Sequence, residues 1–76
     1  MVKAYVFVVS KPGGRMDSAA AEFLKWPEVK EVTQVYGEYD LVIKLEVPKV
    51  EDLQKFIIKF REVGGVEKTT TMIAMK

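Results

Sequence analysis

Residues 2–9, VKAYVFVV, constrain this chain more than any other stretch, because the run is apolar on both of its faces. Side chains alternate along a strand, so Tyr5, Phe7 and Val9 point one way and Val2, Ala4, Val6 and Val8 the other. A sheet with helices on one side normally presents polar residues on its open side. This strand does not, so both of its faces need cover. At 76 residues the chain makes one domain, 1–76. A chain of that length buries only about 60% of its extended surface. It contains no cysteine and no histidine, which removes a disulfide framework and makes a structural zinc site unexpected. A central strand can also be apolar without such cover, but association with a second copy is the preferred reading and the cheapest remaining source of stability.

The later segments say what that strand packs against. Pro12-Gly13-Gly14 ends it, and Met16, Ala19, Ala20, Phe23 and Leu24 then recur at helical spacing. Asp17 lies in the first turn, where the helix dipole favours an anion, and Pro27 stops the helix by forcing its predecessor out of the α region. Residues 29–36, VKEVTQVY, alternate as a second strand, and 39–47, YDLVIKLEV, form a third with Leu41, Ile43, Leu45 and Val47 on one face. After Pro48, an apolar stripe of Val50, Leu53, Phe56, Ile57 and Phe60 follows the acidic pair Glu51-Asp52, which predicts a second helix. Gly64-Gly65 supplies its left-handed cap, and 66–75, VEKTTTMIAM, is the last strand. The order predicts an α+β, ferredoxin-like βαββαβ fold: a four-stranded antiparallel sheet with two helices on one face. The doubly apolar first strand adds the expectation that two such sheets meet face to face in a dimer.

Charge and residue types exclude several functions. Twelve basic residues stand against eleven acidic ones, interspersed, for a formal charge of +1. Neutralising phosphates needs several Lys or Arg on one face, so direct nucleic-acid binding is not expected. The apolar run from Ala4 to Val9 is short for a signal peptide, lacks a small-residue cleavage site behind it, and is too short to span a bilayer. A cytoplasmic location is expected. Without His or Cys, with Ser10 and Ser18 as the only serines, and with no glycine-rich phosphate loop, the chain offers no catalytic residues, cofactor site or metal site. Trp26 reads as a core or interface anchor, and the methionines as core and interface filler.

The segment joining the second and third strands is where chemistry can reside. Gly37-Glu38 fits a two-residue type II′ turn with glycine where φ is positive. Tyr36 and Tyr39 would then face each other across the strands. Asp40 would point to the face opposite Tyr39 and Leu41, away from the helices. Thr69, Thr70 and Thr71 are equally good strand formers, and from its position alone Asp40 is as readily a turn residue as a ligand group.

Four stretches together resemble the effector domain of the leucine-responsive and asparagine-responsive (Lrp/AsnC) transcription regulators, also called the regulation-of-amino-acid-metabolism domain. They are WPEV at 26–29, YGEYDLVIKLEV at 36–47, LQKFI at 53–57 and GVEKTTTMIAM at 65–75, and the resemblance covers nearly the whole chain. DNA-reading members carry a helix-turn-helix ahead of this domain. This chain begins at the first effector-domain strand, so the resemblance implies a stand-alone form without DNA reading. It also implies sheet-to-sheet homodimers that assemble into higher even oligomers, with a free amino acid held between neighbouring dimers. The implied ligand-binding residues are Gly37, Glu38, Tyr39 and Asp40, with Thr69, Thr70 and Thr71 nearby. Asp40 would pair with the ammonium, while backbone N–H groups and threonine hydroxyls hold the carboxylate. Full-length Lrp/AsnC regulators are the implied protein partners. Two alternatives remain: a ligand-free structural adaptor that co-assembles with such regulators, and an ACT-like amino-acid-binding domain with the same element order.

Overall fold

The computed structural model describes residues 1–13 and 16–75, without the side chain of Met16. The chain runs β1 (Val2–Ser10), α1 (Met16–Leu24), β2 (Val29–Gln34), β3 (Leu41–Val47), α2 (Val50–Glu62) and β4 (Val66–Ile73). The strands form one antiparallel sheet in the order β2-β3-β1-β4. The expected βαββαβ, ferredoxin-like architecture is therefore present. β1 and β3 are the inner strands, but only β1 carries a run of large apolar side chains on its open face, where β3 has Lys44 and Glu46.

One face of the sheet carries the core. Ala4, Val6 and Val8 of β1 and Leu41, Ile43, Leu45 and Val47 of β3 are completely buried, under Phe23 of α1 and Leu53, Phe56 and Phe60 of α2. Phe23 meets Phe60 edge to face with ring centroids 5.0 Å apart, and Trp26 stacks on Phe60 at 5.1 Å. Such pairs add about 0.5–1.5 kcal/mol each beyond the burial itself. The Lys59 ammonium lies 5.8 Å from the Trp26 ring, its stem covering the cluster while its charge stays in water. Trp26 is thus the anchor of the α1–β2 corner. Ahead of Pro27 the helix tightens: the N–H groups of Lys25 and Trp26 donate three residues back, to the carbonyls of Glu22 and Phe23.

The other face of β1 carries Tyr5, Phe7 and Val9, as the alternation predicts. Register places Tyr5 between Lys44 and Met72, and Phe7 between Val42 and Thr70. Tyr5 is 38% and Met72 55% exposed, so large apolar side chains occupy a face that a helix-backed sheet normally fills with polar ones.

The element ends differ from expectation. β2 stops at Gln34 rather than residue 36, β3 starts at Leu41 rather than 39, and β4 stops at Ile73 rather than 75. β1 runs one residue further, to Ser10, through a bulge after Val9. Leu24 and Val50, both read as stripe residues, are half exposed; they are the last residue of α1 and the first of α2. Of the expected glycine cap, Gly65 takes the positive φ (93°), after Val63 donates to the Phe60 carbonyl at 3.3 Å. Gly14, read as part of the first turn, lies outside the described residues. Among the described residues, no helix is long and apolar enough to cross a membrane.

Candidate functional site

The β2–β3 connection is wider than a two-residue turn. Gln34 pairs with Leu41, and the Val35 N–H donates to the Asp40 carbonyl at 3.0 Å, which leaves residues 36–39 as a four-residue loop. Gly37 has the expected positive φ, at 125°, in a region that other residues rarely adopt. The expected Tyr36–Tyr39 pair does not form. Tyr36 is fully exposed, and Tyr39 packs on Phe7 with ring centroids 5.0 Å apart. Tyr39 therefore belongs to the face of Phe7 and not to that of Leu41. The physical reason is competition from β1. The Asp40 N–H donates to the Val8 carbonyl at 2.8 Å, and this bond, with the ring contact to Phe7, holds residues 39–40 against β1 instead of letting the hairpin close further.

The Asp40 carboxylate is held by the same strand. Its Oδ2 accepts the Ser10 backbone N–H at 2.7 Å and the Ser10 hydroxyl at 2.9 Å. The N–H is available because the bulge after Val9 takes Ser10 out of register. Asp40 thus turns onto the end of β1, where the sequence reading had it projecting away from the helices. The backbone bond from Ser10, and then the hydroxyl bond, hold the Asp40 carboxyl below its ordinary pKa of 3.8, against a small opposing effect of burial. Asp40 is accordingly ionised at neutral pH, with one oxygen committed. It lines a cavity of about 270 Å³ together with Gln34, Val35 and Tyr36. Gln34 is tied to α1, its amide donating to Asp17 Oδ1 at 2.8 Å.

The threonines lie elsewhere. Thr69, Thr70 and Thr71 stand opposite Val8, Phe7 and Val6, so Thr70 shares the face of Phe7 and Tyr39 while Thr69 and Thr71 share the helix side. Thr69 Oγ1 accepts from Arg61 Nε at 3.4 Å. Thr71 lines a groove of about 440 Å³ with Val50, Leu53, Ile57 and Ile73. β1 runs between the hairpin and β4, which separates Asp40 from the threonine strand by two strand spacings, about 10 Å. Gly37 and Glu38 are exposed at the loop tip. One chain therefore brings Tyr39 and Asp40 together near β1, and keeps the threonines apart from them. Among the described residues, no three His, Cys, Asp or Glu side chains could hold a metal ion.

Residues 3–76 match the family described as the Lrp/AsnC ligand binding domain. The chain belongs to this family. It is similar to the HTH-type transcriptional regulator FL11 of Pyrococcus furiosus, with 33% identity over 75 residues that make up 99% of this chain and 49% of the regulator. The chain spans about half the length of these curated FL11 regulators, from three Pyrococcus species. Among solved structures it resembles FFRP-DM1, at 41% identity and a TM-score of 0.90, over 99% of this chain and 100% of that one. It also resembles the hypothetical protein PHS023 of Pyrococcus horikoshii, at 40% identity and a TM-score of 0.88, over 100% and 92% of the two chains. The matched unit is the ligand-binding, non-catalytic domain of Lrp/AsnC regulators.

Ser10, Phe7 and Gln34 were not singled out as site residues from sequence. Ser10 did leave a signal: it ends an apolar strand just before Lys-Pro, where a backbone N–H that leaves the ladder needs another acceptor.

Proposed function

We propose that this Lrp/AsnC domain, residues 1–76, is an oligomeric amino-acid sensor that binds a free amino acid between neighbouring dimers. The observation that carries the reading is the ionised Asp40, held at the hairpin beside a small cavity, with Thr69, Thr70 and Thr71 two strand spacings away on β4. Such a half-site suits a ligand with an ammonium group and takes its remaining wall from another subunit. In this reading the apolar sheet face of Tyr5, Phe7 and Met72 pairs with its copy in a homodimer. Dimers then abut so that Gly37, Glu38, Tyr39 and Asp40 of one approach Thr69, Thr70 and Thr71 of another. Proteins of this fold from Neisseria meningitidis and Mycobacterium tuberculosis, 21% and 23% identical to this chain, form complexes with L-methionine. At that distance the likeness establishes the fold alone, and the ligand class enters here as part of the proposal.

A ligand of about ten heavy atoms at about 0.8 kcal/mol per atom would bind near micromolar affinity, a range suited to metabolite pools. A thermal-shift screen of the twenty amino acids, on the wild type and on Asp40→Ala, tests the proposal. Binding to the folded state raises stability by about 2.7 kcal/mol at a hundredfold excess over Kd. The expected result is a shift with at least one amino acid, weakened in Asp40→Ala, together with a change in assembly size by light scattering. No shift with any amino acid would overturn the reading. The exposed Tyr5 and Met72 favour a second reading, a ligand-free adaptor that co-assembles with full-length regulators. It predicts mixed complexes in pull-downs and no response to amino acids.

A further inference from the structure

Asp40 is the residue the sensor reading relies on, yet half of its carboxylate is already occupied. Both bonds fall on the same oxygen, Oδ2, and both come from one residue thirty positions away in sequence. We infer that Ser10 is a positioning residue for this site: it clamps Oδ2, fixes the hairpin onto the end of β1, and leaves Oδ1 aimed for a ligand ammonium. The inference rests on the sensor reading for its ligand and on geometry alone for its clamp.

Two donors on one oxygen restrict the carboxylate more than either alone. The N–H is part of a backbone already fixed by pairing of Ser10 with Val66, so it sets the position of Oδ2. The hydroxyl adds a second donor to the same oxygen, at 2.9 Å, and limits rotation about the Cβ–Cγ bond. The loop at 36–39 has few other anchors: the Val35–Asp40 backbone bond, the Asp40–Val8 bond and the Tyr39–Phe7 ring contact. Without the clamp, the carboxylate and the loop would sample several orientations, and a ligand would have to order them on binding. Preorganisation removes that cost from the binding free energy. Threonine at position 10 keeps the hydroxyl, whereas alanine keeps only the backbone donor. The two substitutions therefore separate the clamp from the space it occupies.

The experiment uses the full chain. Amide hydrogen exchange by NMR reports the hairpin, and thermal-shift titration with each of the twenty amino acids reports affinity. In Ser10→Ala the hydrogen-bonded amides of Val35 and Asp40 should exchange about tenfold faster and Kd should rise by about the same factor, the scale of one charge-assisted bond. Ser10→Thr should restore both. Asp40→Asn, which keeps the shape and removes the charge, should move the Ser10 amide proton upfield while the rest of the sheet keeps its shifts. Unchanged hairpin exchange in Ser10→Ala would overturn the clamp. Faster exchange with unchanged affinity would overturn its role in positioning. Should none of the twenty amino acids bind the wild type, the sensor reading falls, while the exchange rates still decide the clamp.

Discussion

The two ends of this Lrp/AsnC domain are held together by different physics. Under the helices, Phe23, Trp26, Phe56 and Phe60 form a ring cluster whose stability comes from non-directional burial, spread over many atoms. At the hairpin, a four-residue loop is held by the Ser10–Asp40 bonds, two backbone bonds, one ring contact and a glycine with a special backbone angle. The first arrangement tolerates shifts of a few tenths of an ångström in any one member. The second has few members, and each is directional. A scaffold of the first kind with a site of the second kind can be tuned at the hairpin without threatening the fold.

That contrast can be broken at either end. The largest effect is expected in the cluster: Phe60, completely buried and touching three other rings, should cost about 3–5 kcal/mol when cut to alanine. Urea unfolding measures it, and a loss below about 1 kcal/mol would mean that the cluster does not hold the scaffold. A smaller loss is expected at the loop. Gly37 has φ 125°, and an added Cβ would meet nothing within 4 Å, so Gly37→Ala isolates backbone strain, about 1–3 kcal/mol. If the loop simply relaxes, unfolding will be unchanged and only hairpin exchange will rise, which sharpens the comparison. The smallest effect is the pH response of the Ser10–Asp40 clamp. Asp40 has a folded-state pKa below its ordinary 3.8, so the clamp's contribution is complete above that value and fades as pH falls through the lowered one. The charged residues next to the clamp by sequence and register are Lys11, Glu38 and Lys68, the last opposite Val9. Titrating the Ser10 amide shift by NMR should show a midpoint below 3.8 that vanishes in Asp40→Asn; a midpoint at or above 3.8 would contradict the geometry.

Much of the scaffold was readable along the chain. The alternation of Leu41, Ile43, Leu45 and Val47 and the stripe of Leu53, Phe56 and Phe60 are periodic signals, and they hold in the structure because each repeats over several turns or pleats. The hairpin was readable only in part. Gly37 announced a positive φ, but the number of residues in the loop did not follow from it. Because β3 begins only at Leu41, Tyr39 lies outside the strand, is not bound by its alternation, and packs on the face of Phe7. The Val8 carbonyl, the Phe7 ring and Ser10 decided that outcome, and all three lie about thirty residues upstream.

The sequence by itself determined the element order, the two apolar faces of β1, and the helix faces that close the core. These follow from periodicity and from turn residues, which act over a few neighbours. Tertiary structure alone decided how wide the hairpin loop is, where Tyr39 packs, and that Asp40 reaches back to Ser10. Those depend on which hydrogen-bond donors a strand distant in sequence leaves unpaired at its end, and no local pattern records that.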